Sequence, residues 1–244
     1  MKALIIGATG ATGRDLVAIL LNDPDYTQVV AFVRRASGLT HAKYSEIITD
    51  FDNLEAVSDA IRGDVWFTCL GTTRKAAGSK EKQWHIDHDI PLGFAKLAKR
   101  NGVPRAVVVS AYGASDTSGV FYSKLKGTLD KAILDLAFNT CVIFRPGFLV
   151  RKDTDRTGER ITAWGLRFLN RLGILRRFRP LPTGTLAEKL AKAPKGFFLR
   201  KSHHRIGEDL WDLDDDVARP VPWRCSSKKI SSIRACHRPW LLRT

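Results

Sequence analysis

Three polar side chains near the middle of the sequence, Ser110, Tyr122 and Lys126, have the types and spacing needed for proton transfer to a carbonyl group. Tyr122 and Lys126 are four residues apart, so a helix would present both on one face. A phenol ordinarily has a pKa of about 10, and the ammonium group of Lys126 is expected to lower the pKa of Tyr122 by stabilising the phenolate. Tyr122 would then act as general acid or base, and the Ser110 hydroxyl would hydrogen-bond to the carbonyl oxygen. An ordinary helix with a buried tyrosine and a surface lysine is the alternative interpretation.

A glycine-rich segment at residues 7–13, Gly-Ala-Thr-Gly-Ala-Thr-Gly, could hold the phosphates of a dinucleotide. It follows a short apolar run and precedes a helical pattern, which is the context that such a loop needs. Glycine lets the backbone approach a pyrophosphate, and the next helix offers unpaired N–H groups. The predicted contacts are Gly7, Thr9, Gly10, Ala11, Thr12 and Gly13. The glycine spacing differs from G-x-G-x-x-G, so a turn without a ligand is the alternative.

Two arginines, Arg34 and Arg35, follow the second predicted strand, where NAD-binding proteins carry an acidic residue. A carboxylate at this place would repel a 2′-phosphate, whereas a guanidinium group pairs with it through charge-assisted hydrogen bonds. The sequence therefore predicts NADP(H) as the cofactor. A solvated basic pair on a loop is the alternative.

The elements that must position these residues are predicted by the hydropathy pattern. Apolar runs of strand length occur at residues 3–6, 29–33, 47–48, 65–70, 106–110 and 140–144. Helical patterns alternate with them at residues 14–21, 53–62, 90–100 and 122–137. Strands rich in Val and Ile that alternate with helices indicate βαβ units around a parallel sheet. Ser110 would then lie at the carboxyl edge of the sheet, where open α/β proteins bind ligands.

The predicted fold class is a doubly wound, Rossmann-like α/β sheet with a small C-terminal substrate lobe. The lobe would begin at about residue 148 and include amphipathic helices at residues 160–172 and 183–192. We assign residues 1–216 to this domain. Residues 217–244 carry seven Lys/Arg and no Asp/Glu, and we expect them to be a basic tail that is disordered or not native to the fold. A nucleic-acid-binding arm is the less favoured interpretation of the tail.

Composition limits the classes to which the chain can belong. The chain has 244 residues, of which 44% are hydrophobic, enough for a real core and too many for a disordered chain. No apolar run reaches the roughly 18 residues that span a bilayer, and the N-terminus does not resemble a secretory signal. We therefore expect a cytoplasmic protein without a membrane span. Cys69 and Cys141 lie in apolar runs and are expected to be core residues.

Two histidines, His85 and His88, are accompanied by Asp87 and Asp89. A metal site is conceivable, but two histidines without a third ligand in a clear geometry favour a polar helix start. We therefore predict no metal.

Several of these motifs occur in an order that resembles a known family. They are Gly7 to Gly13, Arg34, Asp50-Phe51, the Cys-Leu-Gly-Thr-Thr run at 69–73, Ser110, Tyr122 with Lys126-Gly127, and the Phe-Arg-Pro-Gly run at 144–147. Together, over about residues 1–215, they resemble the atypical short-chain dehydrogenase/reductases. The most similar branch contains the Tat-interacting, oxidoreductase-like protein and its small bacterial relatives.

The resemblance implies further cofactor contacts. Asp50 and Phe51 would lie beside the adenine, and Leu70, Gly71 and Thr72 would line the cofactor after the fourth strand. Pro146, Gly147 and Phe148 would lie near the nicotinamide, together with Tyr122 and Lys126.

The expected function is NADPH-dependent reduction of a small carbonyl compound. The alternative is a regulator that binds NADPH and a protein partner without catalysis, as some members of this branch do. The Asn-Asn-Ala-Gly run of better-known dehydrogenases is replaced here by Leu-Gly-Thr-Thr. By analogy with the superfamily, a homodimer is also expected.

Overall fold

Six parallel strands form the central sheet, in the order β3-β2-β1-β4-β5-β6. They are β1 (Lys2–Ile6), β2 (Gln28–Val33), β3 (Tyr44–Ile48), β4 (Val65–Thr68), β5 (Arg105–Val109) and β6 (Thr140–Phe144). The structure is a computed structural model that describes residues 1–147, 149–150 and 181–196. The strand order reverses between β1 and β4, and a ligand of an open α/β sheet binds beyond the carboxyl ends at such a point.

The helices lie on both faces of this sheet. They are α1 (Ala11–Asn22), α2 (Arg74–Ala77), α3 (Lys80–Trp84), α4 (Ile90–Arg100), α5 (Phe121–Asp135) and α6 (Thr183–Gly196). Successive residues of a strand point to opposite faces. Accordingly Ala3 and Ile5 of β1 pack with α1 and α6, whereas Leu4 and Ile6 pack with α4 and α5. The predicted doubly wound α/β fold is therefore confirmed.

One helical segment runs without a break from α3 to α4. A π-helical turn, His85–Asp89, joins the two helices. The sequence predicts only the part from Ile90 to Arg100, which agrees with α4 at both ends. Within the π turn, Asp87 and His88 are buried. An extra residue in a helical turn changes the direction in which the following side chains point, and such turns often occur at functional sites.

Two predicted elements differ from the structure. The third strand ends at Ile48 instead of beginning near it, because β3 is an edge strand and its residues are only partly buried or exposed, so its apolar signal is short. The α-helix predicted at 53–62 is a 3₁₀ helix, Leu54–Ala60, and within the described residues the Asn53 side chain makes no capping hydrogen bond. The tighter i→i+3 pattern suits a short connector.

The last described helix, α6, belongs to the core of the sheet domain. Its Leu186 and Leu190 are fully buried in the same cluster as Leu16 of α1. The Tyr26 hydroxyl donates to the Ala191 carbonyl at 2.8 Å. The sequence predicts this helix at 183–192 but places it at the substrate side of the cleft, whereas it covers the sheet beside α1.

Before α6, a second small sheet pairs two short strands in parallel, β7 (Leu149–Val150) and β8 (Leu181–Pro182). The helix predicted at 160–172 and the tail 217–244 lie outside the described residues. Within the described ranges, no helix is long and apolar enough to cross a membrane.

Candidate cofactor and catalytic site

The loop between β1 and α1 passes directly over the end of β4. Gly7 has a φ of +80°, and a Cβ at this position would lie 2.5 Å from the carbonyl carbon of Cys69 and from the nitrogen of Leu70. A Cβ on Gly13 would lie 2.0 Å from the Gly7 carbonyl oxygen. Only glycine fits at both positions, so these two residues fix the shape of the turn.

The middle glycine of the loop has a different environment. Gly10 is exposed and is the N-cap of α1, and a Cβ on it would meet only the Gly7 oxygen, at 3.3 Å. Glycine has no side chain with which to cap the helix, so the N–H groups of the first turn, beginning at Ala11, have no side-chain acceptor from the N-cap. An open backbone beside a helix N-terminus fits a pyrophosphate.

The predicted cofactor residues beyond this loop also lie at the carboxyl edge of the sheet. Arg34 and Arg35 are exposed and directly follow β2. Phe51 is partly buried against the core on the α4 face, and Asp50 beside it is exposed. The exposed guanidinium groups are available to an anionic ligand at the end of β2.

Two further predicted segments follow β4 and β6. Leu70, Gly71 and Thr72 come after β4. Pro146 follows β6, and its carbonyl oxygen accepts a hydrogen bond of 2.9 Å from the Tyr112 N–H. Gly147 lies next to it and is exposed, whereas Phe148 lies outside the described residues.

The three predicted catalytic residues lie at the carboxyl end of β5 and in the first turns of α5. Ser110 is buried, and its N–H donates to the Phe144 oxygen at 2.8 Å. The Nζ atom of Lys126 lies 6.0 Å from the centroid of the Tyr122 ring. A Cβ on Gly127 would lie 2.2 Å from the carbonyl carbon of Ser115, so this glycine lets α5 lie close to the preceding loop.

Lys126 is buried in an ion pair that the sequence does not predict. Only 3% of its side chain is exposed, and its Nζ lies 3.8 Å from Oδ2 of Asp87, whose side chain is fully buried. The other carboxylate oxygen of Asp87 accepts a hydrogen bond of 2.7 Å from the Thr72 N–H. The Thr72 carbonyl in turn accepts one of 3.2 Å from the Gln83 amide. Asp87 thus connects the loop after β4 with α5.

A second buried carboxylate, that of Asp130, lies on α5 one turn after Lys126. Oδ2 of Asp130 accepts a hydrogen bond of 2.9 Å from Nε of Arg145 and lies 2.9 Å from Nη2 of the same guanidinium group. Arg145 comes from the Arg-Pro-Gly run that follows β6. This pair fixes the end of β6 against α5, beside Ser110.

The electrostatics differ from the expectation for Tyr122. The tyrosine is 41% exposed, and burial of its remaining surface, together with the charge of Asp87, raises its pKa to about 12. Burial lowers the pKa of Lys126, while the charges of Asp87 and Asp130 oppose this effect. The predicted lowering of the Tyr122 pKa is therefore wrong for this arrangement, because the lysine is matched by carboxylates and not by the phenol.

The two histidines of the π turn point to different partners. Nε2 of His85 lies 2.7 Å from a carboxylate oxygen of Asp52. His88 is buried against Trp84, with ring centroids 4.8 Å apart. Across the described part of the chain, no group of three metal-ligating side chains comes together.

Sequence reasoning missed Asp87, Asp130 and Arg145 as site residues. Asp87 stands in a polar run that favours an exposed helix start. A signal was available at the lysine, because a Lys on the buried face of a helix needs an acidic partner. That signal does not identify which carboxylate pairs with the lysine.

The fold and the site define an NAD(P)-binding Rossmann protein of the short-chain dehydrogenase/reductase type. A family model described as NAD(P)H-binding matches residues 7–169, so the chain belongs to the NAD(P)H-binding family. It is similar to the mitochondrial protein FMP52 of Eremothecium gossypii, with 37% identity over 159 residues, 65% of this chain and 71% of that protein. It is also similar to protein HTATIP2 of Rattus norvegicus, with 33% identity over 163 residues, 65% of this chain and 67% of that protein. The resemblance to the atypical short-chain dehydrogenase/reductases is confirmed.

A solved structure shows the same fold. The Bordetella bronchiseptica enzyme WbmH in complex with NAD+ superposes with a TM-score of 0.60 over 80% of this chain and 72% of that chain, at 15% identity.

The predicted cytoplasmic location is wrong. FMP52 of Eremothecium gossypii is named a mitochondrial protein, and so is FMP52 of Saccharomyces cerevisiae, which is 33% identical over 176 residues. The absence of a secretory signal and of a membrane span does not distinguish cytoplasm from mitochondria, so composition did not support the prediction.

Proposed function

We propose that the protein is an NADPH-dependent reductase of a small carbonyl compound. The observation that carries this proposal is the placement of Ser110, Tyr122 and a buried Lys126 at the carboxyl edge of the sheet, beside the loops after β1 and β4. When bound, the cofactor supplies the hydride that reduces the carbonyl carbon.

The side chains of this chain supply the proton and the orientation. The Tyr122 hydroxyl donates its proton to the carbonyl oxygen as the carbon accepts hydride, so the products are an alcohol and the oxidised cofactor. The Ser110 hydroxyl hydrogen-bonds to the same oxygen and orients it. Lys126 provides a positive charge 6.0 Å from the ring centroid of the phenolate that remains, and Tyr122 recovers its proton from water.

The electrostatics keep Tyr122 in the protonated form that reduction requires. With a pKa of about 12, Tyr122 keeps its proton at neutral pH. A protonated phenol is ready to act as an acid, whereas alcohol oxidation would need the phenolate as a base. We therefore expect turnover to be measured more readily as NADPH consumption.

NADP(H) is preferred over NAD(H) in this proposal because of the charges at the end of β2. Arg34 and Arg35 are exposed there. A 2′-phosphate at this place would pair with their guanidinium groups. The pyrophosphate would lie on Gly10 and the first turn of α1.

The test is NADPH oxidation across a panel of aldehydes, ketones and quinones, with wild type beside Tyr122→Phe. We expect Tyr122→Phe to lower turnover at least about 100-fold, the usual contribution of a general acid, with the Kd for NADPH unchanged. Tyr44→Phe is the control, because its phenol lies at the amino end of β3 and bonds to Glu46. Tight NADPH binding without turnover of any compound would support the cofactor-binding regulator instead.

A further inference from the structure

We propose that Asp87 is a positioning residue for Lys126, whose ammonium group it holds in place beneath the loop that follows β4. The proposal rests on the proposed function, since it concerns the lysine that supports Tyr122. Asp87 neither donates nor accepts the reaction proton in this account.

The first argument is the way in which the carboxylate of Asp87 divides its contacts. Oδ1 accepts the Thr72 N–H at 2.7 Å. Oδ2 is buried without a hydrogen-bond partner among the described residues, and Nζ of Lys126 lies 3.8 Å from it. Both side chains are almost fully removed from solvent. A buried carboxylate that faces a buried ammonium group at this distance contributes attraction that water does not weaken.

The second argument is the position of the loop. A Cβ on Gly71 would lie 3.9 Å from Oδ2 of Asp87 and also 3.9 Å from Nζ of Lys126. The backbone of the loop therefore covers the ion pair directly. Thr72, the residue after Gly71, donates its N–H to the other oxygen of Asp87. One carboxylate therefore fixes the positions of both the loop and the lysine side chain.

The remaining charges around Lys126 do not replace Asp87. Asp130 acts on the lysine from the same helix, and its Oδ1 is buried without a hydrogen-bond partner among the described residues. Its Oδ2, however, pairs with Arg145, and the ion pair of Lys126, at 3.8 Å, is with Asp87. The Tyr122 ring faces the ammonium group at 6.0 Å and is neutral while it keeps its proton. In the described part of the chain, Asp87 is thus the carboxylate most available to Lys126.

The Asp87→Asn variant removes the negative charge of the side chain while keeping nearly the same shape. An asparagine oxygen can still accept the Thr72 N–H, but the negative charge beside Lys126 is lost. The buried ammonium group then loses its proton at lower pH, since an opposite charge within about 4–6 Å shifts a pKa by roughly 1–3 units. Tyr122 also loses a charge that raises its pKa. Both changes move the high-pH limb of activity to lower pH.

The first experiment measures kcat/KM against pH for wild type, Asp87→Asn and Asp116→Asn. We expect the high-pH midpoint of Asp87→Asn to fall by at least about one pH unit. Asp116 is a matched control, because it pairs at 3.1 Å with another lysine of α5, Lys131, on the surface. A uniform loss of activity with an unchanged midpoint means that Asp87 is merely structural, and overturns the proposal.

The second experiment does not depend on activity. Melting temperatures are compared for Asp87→Asn, Lys126→Met and the double variant. We expect the double variant to melt at a higher temperature than Asp87→Asn alone, because removing the lysine removes an uncompensated buried charge. Additive losses overturn the pairing. If the melting temperatures show the coupling but the wild type reduces no compound, the proposed reductase function fails while the role of Asp87 in holding Lys126 stands.

Discussion

Asp130 and Arg145 form an ion pair in which one buried carboxylate oxygen accepts a hydrogen bond of 2.9 Å from Nε of the guanidinium group and lies 2.9 Å from its Nη2. The carboxylate side chain is 1% exposed, whereas the arginine side chain is 34% exposed. The pair joins the segment after β6 to the middle of α5. Its charge balance therefore bears on the position of α5.

We predict that Arg145→Met destabilises the fold by about 3 kcal/mol, the low end for breaking a buried pair, because water reaches part of the arginine. Burial already raises the pKa of Asp130, and loss of Arg145 raises it further. A carboxyl pKa that is raised in the folded state leaves stability intact below the unfolded pKa of about 4, and stability is lost as pH rises through the folded pKa. The difference in free energy of unfolding between wild type and Arg145→Met, measured by urea unfolding, should therefore shrink at acid pH. Lys131→Met, which breaks the surface pair with Asp116, should change stability little.

The hydropathy pattern predicts the elements whose positions depend on local sequence. α4 and β6 match the prediction at both ends, since each is bounded by a clear change of polarity. The packing of α6 on α1 was not predictable in the same way, because the bond from Tyr26 to Ala191 joins residues 165 positions apart. Amphipathic spacing shows which face of a helix is buried, but not which element covers it.

The candidate site was predictable to a similar extent. Gly7 and Gly13 could be assigned to a turn because glycine spacing is a local signal. The pairing of Lys126 with Asp87 depends on a π turn and on contact between two separate helices, neither of which has a sequence signature. The roles of Ser110, Tyr122 and Lys126 in catalysis stay predictions.

A second prediction contrasts two glycines of the phosphate loop. Gly13→Ala should lower the melting temperature strongly, because its Cβ would lie 2.0 Å from the Gly7 oxygen. Gly10→Ala should fold nearly as the wild type does, since its Cβ points to open space apart from one contact of 3.3 Å. That methyl group would instead keep a pyrophosphate from the helix N-terminus, and we expect NADPH affinity to fall at least about tenfold, or 1.4 kcal/mol. Undiminished NADPH affinity in Gly10→Ala would show that the phosphates lie elsewhere.

A third prediction concerns the end of α6. Nζ of Lys195 lies 2.5 Å from Asp23 and 2.6 Å from Asp25, at the end of α1. The lysine lowers the pKa of Asp23 against the opposing effect of burial. A lowered carboxyl pKa gives stability that is present above the unfolded pKa of about 4 and is lost as pH falls through the folded value.

Lys195→Met should therefore lower the melting temperature by about 2–4 °C at neutral pH. The difference from wild type should vanish in acid. Lys192→Met is the control on the same helix, because Lys192 is exposed. A difference that stays constant from neutral to acid pH would show that packing of the lysine stem, and not its charge, stabilises α6.

The last prediction tests the preference for NADP(H) through the first arginine after β2. Arg34→Asp places a carboxylate where a 2′-phosphate would bind, and the same carboxylate can accept hydrogen bonds from a ribose 2′-hydroxyl. We expect the ratio of Kd for NADH to Kd for NADPH to fall by at least about tenfold, which corresponds to 1.4 kcal/mol. Arg62→Asp is the control, because it makes the same change of charge at an exposed site before β4, where the strands begin. It should leave the ratio of the two Kd values unchanged. A ratio that does not move in Arg34→Asp, while both cofactors still bind, would mean that Arg34 faces solvent and that cofactor preference is set by another group.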